Sequence, residues 1–187
     1  MVLFNVKEDN SLKTFEIAIN KAKELGTDIL AASTTGVTAE LLLKKAKEEN
    51  FQGRIIIITH AYGSREAGTN RMSEEMRAKL AENGAILVTA AHALSGGERG
   101  LSSVYHGVFP MELIAATLRL ISAGTKVCLE IGLMAMDAGV IPYKKPVVAI
   151  GGTGRGADTA CVLTPSYSSS ILNSRIHEIL CKPSLYE

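Results

Sequence analysis

The apolar positions along this chain fall into blocks of two kinds, and the blocks alternate. Residues 11–25 carry Leu12, Phe15, Ala18, Ile19, Ala22 and Leu25 at helical spacing, with Ser11 placed to cap the start and Gly26 to end it. Residues 28–33, reading Asp-Ile-Leu-Ala-Ala-Ser, are a short apolar run that predicts a buried strand. A second helix is expected over 37–49, with Val37, Leu41 and Leu42 facing inward and Lys44, Lys45 and Lys47 outward. Residues 55–59 are four isoleucines and a threonine, β-branched with no alternation, the pattern of a central strand. A helix over about 73–82 and a strand over 85–89 follow, joined by Asn83 and Gly84. Strands apolar on both faces that alternate with helices predict a mostly parallel sheet covered on both sides.

Beyond residue 89 the periodicity fades. Residues 90–109 hold Gly96, Gly97, Gly100, His92 and His106 and are too long for an ordinary loop, which suggests a lid or a subunit contact. Pro110 suits the first turn of a helix running to about residue 122, and a further helical pattern spans 126–138 and stops at Gly139. Residues 146–150 (Pro-Val-Val-Ala-Ile) predict another buried strand, 151–159 a tight glycine loop and 160–163 a return strand. Residues 168–181 fit either a helix or a final strand. No linker, repeat or low-complexity segment divides the chain, so residues 1–187 are expected to form one domain.

Composition excludes more than it assigns. Twenty basic and 19 acidic residues give a net charge of +1, with no basic patch for nucleic acid or an anionic membrane. No apolar run approaches the roughly 20 residues of a membrane span, and residues 1–10 lack a signal-peptide pattern. The three cysteines, Cys128, Cys161 and Cys181, offer neither a disulfide framework nor zinc spacing, so a reducing, cytoplasmic setting without a metal is expected. The glycines are more informative, because they cluster at 96–100 and 151–156.

Two glycine loops carry the candidate chemistry. Ser33, Thr34, Thr35, Gly36, Val37 and Thr38 lie between a buried strand and a helix start, where unpartnered amides and the helix dipole attract anions. Gly36 admits close backbone approach, and the threonines add hydroxyl donors. Simple capping of the helix by Thr35 or Thr38 accounts for the same residues equally well. There is no Walker lysine. The second loop, Gly151, Gly152, Thr153, Gly154, Arg155, Gly156, Ala157, Asp158 and Thr159, has glycine spacing reminiscent of a dinucleotide fingerprint, but strand rather than helix follows it. Arg155 offers a guanidinium for phosphate and Asp158 an acceptor for a sugar or polyol hydroxyl, although a solvent-exposed turn is the alternative. His60 and Tyr62 follow the isoleucine strand and so share its carboxyl edge, where His60 either touches a ligand or is a hydrogen-bonded bystander. Glu130 and Asp137, seven apart, read as a solvated or interface face of their helix, Met134 and Met136 as core or subunit contact, and Cys128 as packing.

The segments GTDILAASTTGVTAELL, RIIIITH and PVVAIGGTGRGADTACVL together resemble the C-terminal domain of pyruvate kinase, and more closely the stand-alone archaeal-type proteins similar to that domain. The resemblance covers roughly residues 11–165. It implies a three-layer α/β/α sandwich with a mixed, mostly parallel sheet of about five strands, the last antiparallel, and both glycine loops facing one crevice. In full-length kinases of eukaryotic type that crevice holds an allosteric sugar bisphosphate. By match, Thr35, Gly36, Thr38 and Ala39 carry the phosphate-gripping pattern, whereas Val37 stands where many kinases have arginine. In 187 residues there is no room for the kinases' catalytic barrel of about 250 residues, so pyruvate kinase activity is not expected.

For the stand-alone relatives the resemblance implies flavin mononucleotide (FMN) as occupant. The leading expectation is therefore an FMN-binding, phosphate-ester-binding protein, with flavin-dependent oxidoreductase activity as an extension and homo-oligomerisation left open. The catalytic residues are unassigned. A regulatory module sensing a sugar phosphate or nucleotide is the first alternative. A small phosphotransferase or hydrolase using His60 or Asp158 is the second.

Overall fold

The computed structural model describes residues 1–6 and 8–184; Lys7 and residues 185–187 of the single-domain assignment lie outside the described residues. In chain order the elements are β1 (Val2–Phe4), α1 (Ser11–Leu25), β2 (Ile29–Ala32), α2 (Val37–Glu48), β3 (Ile55–Ile58), α3 (Glu74–Glu82) and β4 (Ala85–Val88). There follow α4 (Gly96–Tyr105), α5 (Pro110–Arg119), α6 (Ala123–Asp137), β5 (Val147–Gly151), β6 (Thr159–Thr164), a 3-10 helix (Ser168–Asn173) and β7 (Arg175–Pro183).

The strands form one sheet in the order β1-β7-β6-β5-β2-β3-β4. β5, β2, β3 and β4 run parallel, and their registers set Ala31 beside both Ile57 and Ile150. β6 is antiparallel to both of its neighbours, β5 and β7, while β1 is parallel to β7. The sheet thus has seven strands rather than about five, and its antiparallel strand lies inside the sheet rather than at its end. The additional strands are β1 and β7. Three residues are too few to show a period in β1, and the alternation in β7 is blurred by two register shifts against β6. Residues 168–181 resolve into the 3-10 turn followed by β7.

Helices α1, α2 and α3 bury Phe15, Ile19, Leu42 and Leu80 against Ile29, Ile57, Val148 and Ile150 on one face. On the other, α6 packs Cys128, Ile131 and Met134 against Leu30, Ile56 and Ala149, and α5 lies outside α6 through Ala115, Leu129 and Leu133. This is a three-layer α/β/α sandwich. Its central strands are isoleucine-rich because both of their faces are covered. Val37 and Leu41, expected inside, are 58% and 40% exposed; the inward stripe of α2 is Ala39, Leu42 and Ala46. Small Ala39 and Ala46 let α2 approach the sheet, so side-chain size misled the inward assignment. Residues 96–105, expected to be irregular, form α4 despite three glycines and bury none of their side chains fully. Without a fully buried stripe, its sequence shows little helical period.

Every crossover helix preceding or following a parallel strand runs antiparallel to it. The amino termini of α1, α2, α3 and α6 therefore all lie at the carboxyl edge of the sheet, the edge where anions and ligands are stabilised.

Two glycines separate packing from permissiveness. A Cβ on Gly124, in the first turn of α6, would run into Thr159, whose hydroxyl lies 3.2 Å from that of Ser122. A Cβ on Gly100, within α4, meets nothing within 4 Å. Gly124→Ala is expected to destabilise the fold by about 1–3 kcal/mol through overpacking. Gly100→Ala is expected to stabilise it by about 0.5–1 kcal/mol. Urea unfolding of the two variants checks both signs.

Candidate functional site

β2 and β5 are hydrogen-bonded neighbours, so the segments leaving them emerge side by side at the carboxyl edge, although over a hundred residues separate them in sequence. The 33–38 segment and the 151–159 loop are therefore adjacent connections at that edge.

The first connection is a helix start. Ser33 is buried, and its Oγ accepts the N–H of Ala39 at 3.3 Å, which satisfies one first-turn amide of α2. Ser33 thus does the capping, and neither Thr35 nor Thr38 makes a side-chain cap. The amides of Val37 and Thr38 precede the first intrahelical bond, Glu40 N–H to Gly36 C=O at 2.9 Å. Gly36 has φ +98°, the left-handed region, and a Cβ there would collide with Met76. Its missing side chain makes room for Met76 of α3.

The second connection, the glycine loop, is held against two helix starts. The Ala157 N–H donates to Ser11 Oγ at 2.9 Å, and Thr14 Oγ1 donates to the Ala157 carbonyl at 3.3 Å, fixing the loop to α1. A Cβ on Gly151 would lie 2.6 Å from the Gly124 carbonyl of α6, and one on Gly152 2.5 Å from the Gly156 carbonyl. The glycine density therefore follows from a loop folded tightly on itself and onto both helices. Asp158 works inside the loop: Oδ2 accepts from the Thr153 N–H at 3.0 Å and Oδ1 from the Thr159 hydroxyl at 2.7 Å. Thr153, Gly154 and Arg155 form the exposed tip. Arg155 is exposed at the loop tip and makes no ion pair among the described residues.

Behind this edge lies a buried charged cluster. Glu130, 3% exposed, and Lys126, 5% exposed, form an ion pair on α6. Glu130 also accepts from the Leu94 N–H at 3.2 Å and lies 3.4 Å from His92 Nδ1. The His92 ring sits 4.3 Å from that of His60. His60 Nδ1 and His92 Nε2 are both buried without a hydrogen-bond partner, leaving unsatisfied capacity at the two strand ends. Burial lowers the pKa of His60, and the neighbouring His92 and Arg71 lower it further. Burial opposes charge on Glu130, but hydrogen bonds with His92 and Lys126 outweigh it and hold the carboxyl at about 2. Burial pushes the Lys126 ammonium down, against the pull of Glu130. Glu130 is thus no solvated face. Its signal in the sequence was a Lys–Glu pair at i, i+4 within an otherwise apolar helix. Asp137, by contrast, is exposed and accepts from the Ser168 N–H at 3.0 Å.

The sequence model of the family described as pyruvate kinase, alpha/beta domain, matches residues 13–163. The chain belongs to that family. Among solved structures it is similar to a pyruvate kinase from Cryptosporidium parvum, with 16% identity over 76% of this chain and 20% of that one, at a TM-score of 0.37. It is also similar to Cryptosporidium parvum pyruvate kinase in complex with ADP, with 14% identity over 89% of this chain and 23% of that one, at a TM-score of 0.38. The chain spans about a fifth of the length of these kinases. Within the family domain, both glycine loops and the Lys126–Glu130 pair fall inside the matched residues. No helix among the described residues is long and apolar enough to cross a membrane, and no group of three or more histidine, cysteine or acidic residues among them could hold a metal ion. Cys128 is buried, its thiol pushed up by burial and directed at the Ala149 carbonyl at 3.3 Å, as a packing residue would be.

Glu130→Gln strips the buried Lys126 of its counter-charge and is expected to cost about 3–5 kcal/mol in urea unfolding. Because Glu130 titrates at about 2 in the fold against an ordinary value of 4.5, its contribution is fully present above pH 4.5. It is lost as pH falls toward 2. The wild type should show this acid-limb loss, and Glu130→Gln should show less of it.

Proposed function

We propose that this family member binds a phosphate ester in the crevice between residues 33–38 and 151–159, with FMN as the occupant. The carrying observation is the convergence, at one sheet edge, of the α2 start with the unpaired Arg155. The Val37 and Thr38 amides and the exposed Thr35 supply donors to a phosphate, and the α2 dipole favours its charge. Arg155 supplies a guanidinium from the opposite wall. His60, with its buried and unpartnered Nδ1 at the end of the neighbouring strand, is the polar group toward which the remainder of the ligand extends. Gly151, Gly152, Gly154 and Gly156 shape the second wall, and Asp158 holds it in shape rather than binding ligand directly.

These residues fit a phosphorylated cofactor through its phosphate and polyol portions. Bound flavin would supply hydride or electron transfer, which is the oxidoreductase extension of the proposal. What the chain's own residues do is anchor the anion, orient the chain attached to it and exclude water from the strand ends. Pyruvate kinase catalysis is not part of the proposal. The engagement of both Asp158 oxygens within the loop speaks against a hydrolase that uses this carboxylate. A cytoplasmic setting belongs to the reading, supported by three free, buried cysteines. So does self-association, supported by the exposed apolar side chains of Leu101, Val104, Tyr105, Val108 and Leu113 on and around α4 and α5.

FMN at a hundred times its dissociation constant should raise the melting transition by the equivalent of about 2.7 kcal/mol. Riboflavin, which lacks the phosphate, should raise it far less. Equal shifts from the two compounds would remove the phosphate anchor from the proposal. A colourless protein stabilised by sugar phosphates but not by FMN would favour the sensor reading. Arg155→Ala should weaken FMN binding by about 1.5–3 kcal/mol in calorimetric titration, with the ligand-free melting point unchanged.

A further inference from the structure

A second concavity lies away from the glycine loops, beneath the start of α4. It encloses about 240 Å³ and is lined by Leu94, Ser95, Arg99, Glu112, Ala115 and Arg119. That volume is below the range of about 300–1,000 Å³ typical for drug-sized ligands, so its natural occupant is compact. Neither Arg99 nor Arg119 forms an ion pair among the described residues. The acids nearby are engaged elsewhere: Glu112 Oε1 accepts from the Ser102 hydroxyl at 2.8 Å, and Glu98 Oε2 accepts from the Glu112 N–H at 3.1 Å. The lining therefore presents two guanidiniums against one carboxylate.

Two further features bias the cavity toward an anion. The α4 helix begins at its mouth, and the Ser95 hydroxyl makes no cap there, so the first-turn amides of Gly97 and Glu98 face the cavity end of the helix without intrahelical partners. The positive fields of Arg119 and Arg99 reach Lys126 and add to burial in disfavouring its charge, a repulsion that a bound anion would relieve.

We propose that this cavity is a second anion site, distinct from the glycine-loop crevice, which binds a compact oxyanion between the forked donors of Arg99 and Arg119. The chemistry recognised is that of a phosphate or carboxylate group, since planar guanidinium forks match both. The Leu94 N–H to Glu130 bond connects the cavity wall to the carboxylate that faces His92.

The test uses the full chain, with inorganic phosphate and malonate as probes and ionic strength held constant with chloride. Arginine Nε–H resonances are followed by NMR. Saturable shifts of the Arg99 and Arg119 resonances are expected with at least one probe, and they should persist in Arg155→Ala. In the double variant R99Q/R119Q, whose side chains are exposed and whose melting point should match wild type, calorimetric affinity for that probe at this site should fall about tenfold or more. A preference for phosphate over malonate assigns a phosphate ester, and the reverse a dicarboxylate. If neither probe moves Arg99 or Arg119 beyond the chloride control, or if R99Q/R119Q binds as wild type does, the site does not exist. Movement of Arg99 and Arg119 with no response at Arg155 would sustain this site while counting against the glycine-loop anchor.

Discussion

The parallel pairing of β2 with β5 is the constraint on which the rest of the structure depends. It joins a strand formed early in the chain to one formed more than a hundred residues later, through bonds that align Ile29 with Val148 and Ala31 with Ile150. Two parallel strands in contact cannot be linked by a tight turn, so each must be reached by a crossover helix. That requirement alone directs the starts of α1, α2, α3 and α6 to one edge. The carboxyl edge thereby gathers several partial positive charges, two glycine loops and the ends of the isoleucine strands before any particular side chain is considered.

Packing at that edge then decides what each residue is free to do. The 151–159 loop is held by Ser11 and Thr14 from α1 on one side of the sheet and pressed against Gly124 of α6 on the other. Asp158 spends its carboxylate on the loop itself. The groups left with unused donors are Arg155 at the tip and the first amides of α2. The loop is thus tied down by its own hydrogen bonds and by α1, with Arg155 exposed at its tip.

The buried Lys126–Glu130 pair sets the character of the α6 side. A single charge at that depth would be costly, and the pair is tolerated because Leu94 and His92 take up the remaining acceptor capacity of Glu130. By doing so it fixes the segment carrying His92 against α6 and places the His92 ring on that of His60. The α4–α5 layer rests on the same wall and contributes Arg99 and Arg119. Apolar contacts of α5 with α6 carry this layer, while α4, which buries no side chain completely, adds polar and charged groups to it.

Much of this was written in local sequence. The isoleucine run at 55–58, the apolar strands at 29–32 and 147–151 and the helix from Ser11 to Leu25 follow from period and propensity, and so does the parallel α/β class. The two glycine loops were visible as well, because glycine density is a local property. The short β1, the irregular β7 and the weakly periodic α4 were not, since each exists through neighbours that only the folded chain provides. The inward face of α2 was misjudged for a related reason: burial there selects small Ala39 and Ala46 over larger Val37 and Leu41. Local sequence could not tell whether Asp158 faces a ligand or its own loop, or whether Glu130 faces water or Lys126. Those are questions of which distant groups meet, and the answer came with the pairing of strands and the seating of α6. Sequence determined the elements and the glycine loops between them; tertiary structure decided which of their polar groups remained unspent, because a buried donor or acceptor must take whatever partner the fold brings to it.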